Sequence, residues 1–428
     1  MRDGSSLNKG EIFMQKTPKS LRLQIGLFGR TNVGKSSFLN MVASQDVAIT
    51  SPVPGTTTDV VEKSMELLPL GPVVFLDTAG LDDTSTLAEL RIKKTGRIFD
   101  RSDVIIIITE PDQWGEYEEK ILDEAKKRNT PSIVAVNKID LKEPSSSFLE
   151  DLRKRTERFL LCSSIDAGKK DKYVNELKKH LIYICPEEFL NPPPLIGDLM
   201  TPGGIAVLIV PIDLQAPKGR LILPQVQAIR DALDNDGAAL VVKEREYAHI
   251  LNNLKNPPDI SVCDSQVVLK MVADTPGHIK CTTFSILFAR YKGDIVEAAR
   301  SVSAIDKLKP GDKILIGEAC SHHPIEDDIG RVKIPRWLRQ HIGGDIQIDT
   351  SCGRDYPDNL KEYKLIVHCG GCMLTRREML FRIHRARQEG VPVTNYGLCI
   401  SFIQGVIERV LSPFPAALDA YRREKRMD

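Results

Sequence analysis

The sequence predicts an α/β protein whose first domain is a mostly parallel sheet with helices on both faces and a phosphate-binding P-loop. With 428 residues, the chain is long enough for two or three domains that each have their own core. Short apolar runs alternate with helical patterns over residues 21–190, and strands that are separated by helices form parallel sheets. The first run, Leu23–Phe28, precedes the pattern G-x-x-x-x-G-K-S at residues 29–36, which is the strand-to-helix context that a P-loop requires.

Further apolar runs predict the other strands of this first domain. They are Val73–Leu76, Val104–Thr109, Ile133–Val136 and Phe159–Cys162. Residues 1–20 are polar and lack periodicity, so we expect a flexible arm there.

Proline and glycine mark the next boundary. The segment NPPPLIGDLMTPGG at residues 191–204 cannot continue a helix or a central strand, which predicts a linker. Residues 205–275 then alternate strand-like and helix-like patterns and contain no motif that carries chemistry, so we expect a small α/β domain for packing or self-association. The last domain, residues 276–428, is predicted to begin with a helix at Cys281–Tyr291 and contains clusters of cysteine and histidine.

Composition limits the possible partners. The 59 Lys and Arg residues nearly cancel the 58 Asp and Glu residues, so no global charge favours nucleic acid or an anionic membrane. The longest apolar run, Val104–Ile108, is far too short to span a bilayer, and no signal peptide is evident, so we expect a cytoplasmic protein. Thiols are reduced there, and the nine cysteines are therefore expected to be buried thiols or metal ligands.

Four motifs predict a guanine nucleotide site. Backbone N–H groups of the P-loop point at phosphates, Lys35 supplies charge to them, and Ser36 offers its hydroxyl to Mg²⁺. In NKID at residues 137–140, Asp140 pairs with two donors that guanine has and adenine lacks. The predicted nucleotide-binding residues are Gly29, Asn32, Gly34, Lys35, Ser36, Ser37, Thr56, Thr57, Asp77, Gly80, Asn137, Lys138, Asp140, Ser163 and Ser164.

The other two motifs are PGTTTD at residues 54–59 and DTAG at residues 77–80. Asp77 is expected to reach Mg²⁺ through water, and the Gly80 N–H to sense the γ-phosphate. Thr57, or its neighbour Thr56, is expected to close over the metal. Ser163 and Ser164 follow the run Phe159–Cys162 and fit the remaining guanine-contacting loop.

Together these motifs resemble the translation-factor-like GTPases, and among them the tRNA-modification branch. That resemblance implies an activating K⁺ at Asn32 and a water-orienting role for Glu89. Leu81 stands where other GTPases have a glutamine, so hydrolysis must be organised differently. The predicted catalytic residues are Lys35, Thr57, Asp77, Gly80 and Glu89.

A second constellation lies near the C-terminus. Cys320-Ser-His322-His323 is followed by His368-Cys369-Gly-Gly-Cys372, which lies between an apolar run and a helical pattern. Three thiolates fit either a structural Zn²⁺ or a [4Fe–4S] cluster with one exchangeable iron ligand. A dithiol redox pair would leave Cys320 and the histidines unexplained. Cys352 and Cys399 have no partner at metal-ligand spacing, so we interpret them as core thiols.

The combination of C-x-H, a long gap, H-C-x-x-C and this type of nucleotide domain resembles the HydF family of [FeFe]-hydrogenase maturation GTPases, along nearly the whole chain. The resemblance implies a dimerising middle domain and a cluster-binding last domain. It also implies a scaffold for a diiron precursor, with HydE- and HydG-like radical-SAM maturases and a HydA-like apo-hydrogenase as partners.

The resemblance makes Cys320, Cys369 and Cys372 the cluster ligands. The fourth ligand stays open between His322, His368, Glu326, Asp327 and an exogenous group. The alternative function is an RNA-modification or ribosome-assembly GTPase with a structural zinc site, against which the near-zero net charge weighs. Radical chemistry at the cluster is disfavoured because the motif C-x-x-x-C-x-x-C does not occur.

Overall fold

The computed structural model describes residues 19–43, 61–77, 96–190, 193–211, 221–319, 328–353 and 356–427. The chain divides into two compact units, Met1–Leu190 and Asn191–Asp428. Some predicted site residues lie outside the described ranges, namely Thr56, Thr57, Gly80, Glu89, Cys320, His322, Glu326 and Asp327.

The first unit contains a six-stranded sheet in the order β2-β3-β1-β4-β5-β6. Its strands are β1 Leu23–Phe28, β2 Val61–Leu67, β3 Gly71–Asp77, β4 Val104–Thr109, β5 Ser132–Val136 and β6 Phe159–Leu161. All are parallel to their neighbours except β2, which is antiparallel to β3. The predicted parallel α/β fold is confirmed. The prediction missed β2 because its sequence, VEKSMEL, alternates charged and apolar residues at the sheet edge and forms no apolar run.

Helices cover both faces of this sheet. They include α1 Lys35–Ala43, α2 Glu116–Lys127, α3 Ser146–Arg155, α4 Lys170–Ile184 and α5 Glu187–Leu190, with further helical residues at 96–101. Alternate residues of β1 point to opposite faces of the sheet. Ile25 joins one core with Phe38 of α1, whereas Phe28 joins the other core with Ile121 of α2. The buried sheet therefore fixes the loops at its carboxyl edge.

The second unit contains two parallel four-stranded sheets. The first has the order β10-β9-β7-β8, and the other has the order β12-β11-β13-β14. The strands are β7 Ile205–Ile209, β8 Ala238–Val242, β9 Ile260–Cys263, β10 Lys280–Thr283, β11 Lys313–Gly317, β12 Gln347–Ser351, β13 Leu365–His368 and β14 Val393–Asn395. One continuous apolar core packs against both sheets, which makes this unit a single compact body.

Ten α-helices of the described residues belong to this second unit. They are α6 Leu223–Asp234, α7 Tyr247–Asn253, α8 Val268–Asp274, α9 Phe284–Lys292, α10 Ile295–Ser301, α11 Ile334–Ile342, α12 Arg376–Gln388, α13 Tyr396–Ile403, α14 Ile407–Leu411 and α15 Pro415–Met427. In the part of the chain that the structure describes, no helix is both long and apolar enough to cross a bilayer.

The start of the predicted helix Cys281–Tyr291 is wrong. Residues 280–283 form β10, which pairs with β9, and α9 begins only at Phe284. The Thr283 side chain accepts a hydrogen bond from the Ile286 N–H and caps the helix. The strand is only four residues long, KCTT, and has one apolar residue, so no apolar run marked it as separate from the helix that follows. This strand also lies beyond residue 275, where the sequence suggested the end of the middle domain.

The predicted linker is tied to α6 by one carboxylate. Asp231 Oδ2 accepts backbone hydrogen bonds from Leu195 at 2.9 Å, Ile196 at 2.7 Å and Gly197 at 2.8 Å. Leu195 and Ile196 are buried in the core of the second unit. The end of the proline-rich segment is therefore part of the folded unit.

We expect Asp231→Ala to lower the free energy of unfolding of the second unit by about 3 kcal/mol, because three N–H groups lose a charged acceptor. Urea denaturation followed by circular dichroism, with amide exchange of residues 195–199, measures this effect. The matched control is Asp234→Ala on the same helix, where an exposed pair with Arg230 contributes about 0.5 kcal/mol or less. Equal losses in the two variants would contradict the assignment.

Candidate functional site

The P-loop is shaped by two glycines that have no room for a side chain. A Cβ on Gly29 would lie 2.5 Å from the carbonyl oxygen of Ile108, and one on Gly34 would lie 2.4 Å from Asn137 Nδ2. Gly34 also has a positive φ of 93°. The loop therefore passes closely over β4 and the NKID segment, as the motif predicts.

Asn32 has a left-handed backbone, with a φ of 65°. Asparagine tolerates that conformation better than most residues. The backbone conformation alone therefore favours asparagine at position 32, independently of the predicted role in binding K⁺.

Lys35 is the buried cation of the loop, with 6% of its surface exposed. Its Nζ donates to the carbonyl oxygens of Gly29 at 2.7 Å and Arg30 at 2.9 Å. Ser36 and Ser37 are exposed in the first turn of α1, and Asp77 is buried at the end of β3, where it pairs with Leu27 in register. The sheet therefore gathers these predicted phosphate and Mg²⁺ residues at one edge.

Asn137 joins three loops. Its Nδ2 donates to the Val33 carbonyl at 2.9 Å, and its Oδ1 accepts from the Ser164 N–H at 3.0 Å and hydroxyl at 2.8 Å. The side chain is buried, so these bonds are shielded from water. The amide oxygen is thus engaged in holding the loops together, and one of the two N–H groups of Nδ2 stays available for a further hydrogen bond.

The neighbouring residues complete the predicted guanine pocket. Lys138 also has a positive φ of 62°, and its Nζ lies 2.5 Å from both the Asn32 carbonyl oxygen and Glu110 Oε1. Asp140 is exposed, whereas Ser163 Oγ is buried without a hydrogen-bond partner in the described part of the chain. A polar atom left in this way is open to a further hydrogen bond.

An ion pair that the sequence motifs did not predict anchors the P-loop. Glu118, in the first turn of α2, is fully buried, and its Oε2 accepts from Arg30 Nη2 at 2.6 Å and from the Gly115 N–H at 3.0 Å. The sequence feature that could have indicated it is a glutamate at the third position of a helix, where the carboxylate can accept a hydrogen bond from the N–H of the N-cap residue.

The second site lies at the carboxyl edge of the sheet β12-β11-β13-β14, which is the third sheet of the chain. Gly317 of β11 is in register with both Ser351 of β12 and His368 of β13. The Cys369 N–H donates to the Gly317 carbonyl at 2.8 Å, and the Ala319 N–H donates to the Cys369 sulfur at 3.1 Å. Ala319 is the residue that precedes Cys320 in the sequence.

The C-x-x-C segment is a tight turn. Gly371 has a positive φ of 66°, and a Cβ on it would lie 2.2 Å from Met379 Cε. Burial raises the pKa of the Cys369 thiol to about 11, although N–H groups of Gly371 and Ala319 act in the opposite direction. Such a thiol is protonated at neutral pH, and a metal cation deprotonates it on binding.

These features fit a thiolate-ligated metal centre, because backbone N–H groups already point at a sulfur that would carry negative charge. Within the described ranges, no group of three or more His, Cys, Asp or Glu side chains is placed to hold a metal ion. The two cysteines of the turn therefore need a further ligand from another segment.

His368 is held behind the cysteine turn. It is buried, Nε2 accepts from Arg382 Nη1 at 3.1 Å, and Nδ1 donates to the Cys369 carbonyl at 3.0 Å. Burial, reinforced by Arg382, lowers the pKa of His368 to about 3. Since both ring nitrogens are engaged, this arrangement fits a hydrogen-bonding role better than direct ligation of the metal, which the sequence left open.

Cys352 differs from the core thiol that we expected. It is half-buried at the same sheet edge, and its sulfur lies 2.8 Å from Arg331 Nη2 and 3.4 Å from Glu318 Oε2. Arg331 and the buried Glu318 form an ion pair at 2.8 Å. By contrast, Cys399 is fully buried in α13, where burial raises the pKa of its thiol to about 12.

The fold and the first site define the class of the protein. A six-stranded sheet in this order, with a P-loop after β1 and NKID after β5, is a P-loop G domain. Residues 24–138 match the family model described as "50S ribosome-binding GTPase". Residues 195–293 match the hydrogen maturase F dimerization domain, and residues 296–413 match the hydrogen maturase F tetramerization domain. The chain belongs to the hydrogen maturase F (HydF) family.

Individual relatives resemble the G domain. The tRNA modification GTPase MnmE of Prochlorococcus marinus (strain NATL1A) is 35% identical over 162 residues, covering 37% of this chain and 34% of the relative. GTPase Era of Thermoanaerobacter sp. (strain X514) is 29% identical over 228 residues, covering 50% of this chain and 72% of the relative. The chain thus spans about a third of the length of the MnmE relative.

A crystal structure of Era from Aquifex aeolicus aligns with a TM-score of 0.31 and 18% identity, covering 51% of this chain and 92% of that chain. The G domain of the FeoB iron transporter of T. maritima aligns with a TM-score of 0.30 and 19% identity, covering 39% of this chain and 99% of that chain.

We expect Asn137→Ala to destabilise the first unit by about 2 kcal/mol, because the Val33 carbonyl and the Ser164 N–H lose their buried partner. The same change displaces two loops of the nucleotide pocket and is expected to weaken GTP binding about tenfold or more. Thermal unfolding and titration with a fluorescent GTP analogue measure both effects. Lys127→Ala, at an exposed position of α2, is the control. An unchanged affinity for GTP would contradict the role given to Asn137.

Proposed function

We propose that this protein binds and hydrolyses GTP in its first unit and carries a [4Fe–4S] cluster in its second unit. On that cluster it holds the diiron precursor of the [FeFe]-hydrogenase active site, which it then transfers to the apo-hydrogenase. The observation that carries the proposal is the hydrogen bond from the Ala319 N–H to the Cys369 sulfur. It brings the C-x-x-C turn to the segment that leads to Cys320.

In the proposed GTP site, the loop between Gly29 and Gly34 holds the phosphates by its N–H groups. Lys35 supplies positive charge, and Ser36 and Asp77 hold Mg²⁺, directly and through water respectively. Asp140 selects guanine, and Asn137 with Ser164 fixes the walls of the pocket. Ser37, Lys138 and Ser163 are the further nucleotide contacts of this proposal.

The proposed hydrolytic residues come from the resemblance to the tRNA-modification branch. Thr56 or Thr57 closes over Mg²⁺, the Gly80 N–H contacts the γ-phosphate, and Glu89 orients the attacking water. Asn32 holds a K⁺ ion that offsets the charge developing on the phosphates, which is the task of an arginine finger in other GTPases.

We expect Asn32→Gly to abolish the stimulation of GTP hydrolysis by K⁺ over Na⁺. Glycine keeps the left-handed backbone that the φ of 65° requires, so the variant removes the amide group without straining the loop. GTP turnover measured in the two salts at equal ionic strength tests this, with GTP affinity as the internal control. A variant that binds GTP normally and still prefers K⁺ would refute the role of Asn32.

In the proposed cluster site, Cys320, Cys369 and Cys372 are the residues that would hold three irons of a [4Fe–4S] cluster. The fourth iron has an exchangeable ligand, for which His322, Glu326, Asp327 and an exogenous group remain the candidates. A [4Fe–4S] cluster supplies a Lewis-acidic iron at which a cyanide of the diiron precursor can bind. His368 supports the turn through the Cys369 carbonyl, with Arg382 fixing the orientation of its ring.

The proposed partners follow from family membership. HydE- and HydG-like radical-SAM maturases supply the precursor, and a HydA-like apo-hydrogenase receives it. Two matched segments of the second unit are described as dimerization and tetramerization domains, so we propose that the protein works as a homo-oligomer built through this unit. GTP binding then biases partner docking only if the two switch conformations differ in affinity for the partner.

Anaerobic reconstitution with iron and sulfide is expected to load about four irons per chain. Cys369→Ala removes a ligand sulfur and is expected to lose the cluster signal in low-temperature EPR of the reduced protein. Metal analysis of the purified protein provides the parallel measurement.

The matched control is Cys399→Ala, which removes a fully buried thiol of α13 in the same unit that has no cysteine partner at metal-ligand spacing in the sequence. It should keep the iron. Stoichiometric zinc in the wild type, without a cluster signal, would exclude the scaffold and favour the zinc-containing RNA-linked GTPase.

A further inference from the structure

A buried lysine from the end of α9 donates hydrogen bonds to the backbone of the cysteine turn. Lys292 is the last residue of α9, which follows β10 of the second sheet, and only 1% of its surface is exposed. Its Nζ donates to the carbonyl oxygen of Cys372 at 3.1 Å and to that of Leu374. A buried ammonium is costly unless it is hydrogen-bonded, and here the turn itself supplies the acceptors.

An arginine makes the same kind of contact in the opposite direction. Arg376, the first residue of α12, donates from Nη1 to the Tyr291 carbonyl at 2.7 Å, with the carbonyls of Arg290 and Gly293 at 3.4 Å. The last carbonyl groups of a helix lack partners within that helix. Each segment therefore provides a cation for the backbone of the other.

These contacts distinguish Lys292 from the surface lysines of the same unit. Lys292 does not pair with an exposed carboxylate, as surface lysines such as Lys270 do. Its Nζ lies against the backbone of Cys372, a cysteine of the turn, and the charge of the buried Glu378 also acts on this ammonium group. Three thiolates on a [4Fe–4S] core leave a net negative charge, and a nearby buried cation stabilises the reduced state more than the oxidised state.

We propose that Lys292 is a positioning residue of the cluster site: with Arg376 it fixes the Cys369–Cys372 turn to the end of α9, and its charge raises the reduction potential of the bound cluster. This inference rests on the proposed cluster function. Lys292 and Arg376 also connect α9, and the strand β10 that precedes it, to the cluster turn. A displacement of α9 would therefore be transmitted to two ligand cysteines.

The test compares Lys292→Met with Lys270→Met, an exposed control in the same unit. Lys292→Met keeps an unbranched side chain of nearly the same length and removes the ammonium group with its charge. We expect faster amide exchange in the peptide that contains residues 369–375, with unchanged exchange in β7 and β9. After reconstitution, we expect a more negative midpoint potential in an EPR-monitored redox titration. Wild-type values for both readouts would overturn the proposal.

A second variant keeps the test decisive if Lys292→Met fails to fold. Arg376→Gln removes the opposite contact from a half-buried position and is expected to raise amide exchange both at residues 369–375 and in the last turn of α9. Unchanged exchange at the cysteine turn in Arg376→Gln would overturn the mutual fixation. If the wild type binds no iron, the proposed function fails, whereas the exchange measurement on the protein without iron still decides whether the two cations fix the turn.

Discussion

The structure depends on one constraint: the strands of a parallel sheet all end at the same edge. A residue that follows one strand is therefore brought close to residues that follow its neighbours, however far apart they are in sequence. In the first unit this places Lys35, Asp77 and Asn137 along one edge of the sheet. In the second unit it places Glu318, Cys352 and Cys369 at another edge, because β11 lies between β12 and β13.

Both sites fix their loops by directing lysine ammonium groups at backbone carbonyl groups. Lys35 donates to the P-loop, Lys138 donates to Asn32, and Lys292 donates to the cysteine turn. Such bonds are charge-assisted and need no special acceptor side chain, so they hold an irregular loop in one conformation. A loop of this kind is preorganised for a charged ligand and does not have to become ordered when the ligand binds.

Much of this architecture could be predicted from the sequence, because the central strands are uninterrupted apolar runs and the P-loop has fixed spacing. The edge strand β2 and the strand β10 could not, since VEKSMEL mixes charged with apolar residues and the short, mostly polar KCTT continues directly into a helix. The partners of Lys292 were equally hidden, because they lie 80 and 82 residues away in sequence. His368 was recognised as part of the site, but only the geometry revealed that Arg382 and the Cys369 carbonyl engage both ring nitrogens.

We propose that the carboxyl edge of the sheet β12-β11-β13-β14 holds a cluster bound by three thiolates. A crystal structure of the anaerobically reconstituted protein, with anomalous data collected at the iron and zinc absorption edges, tests it most directly. We expect an iron signal beside Cys369 and Cys372 at the end of β13, with a third bond to Cys320. A zinc signal at that position, or iron bound at Cys352 instead, would contradict it.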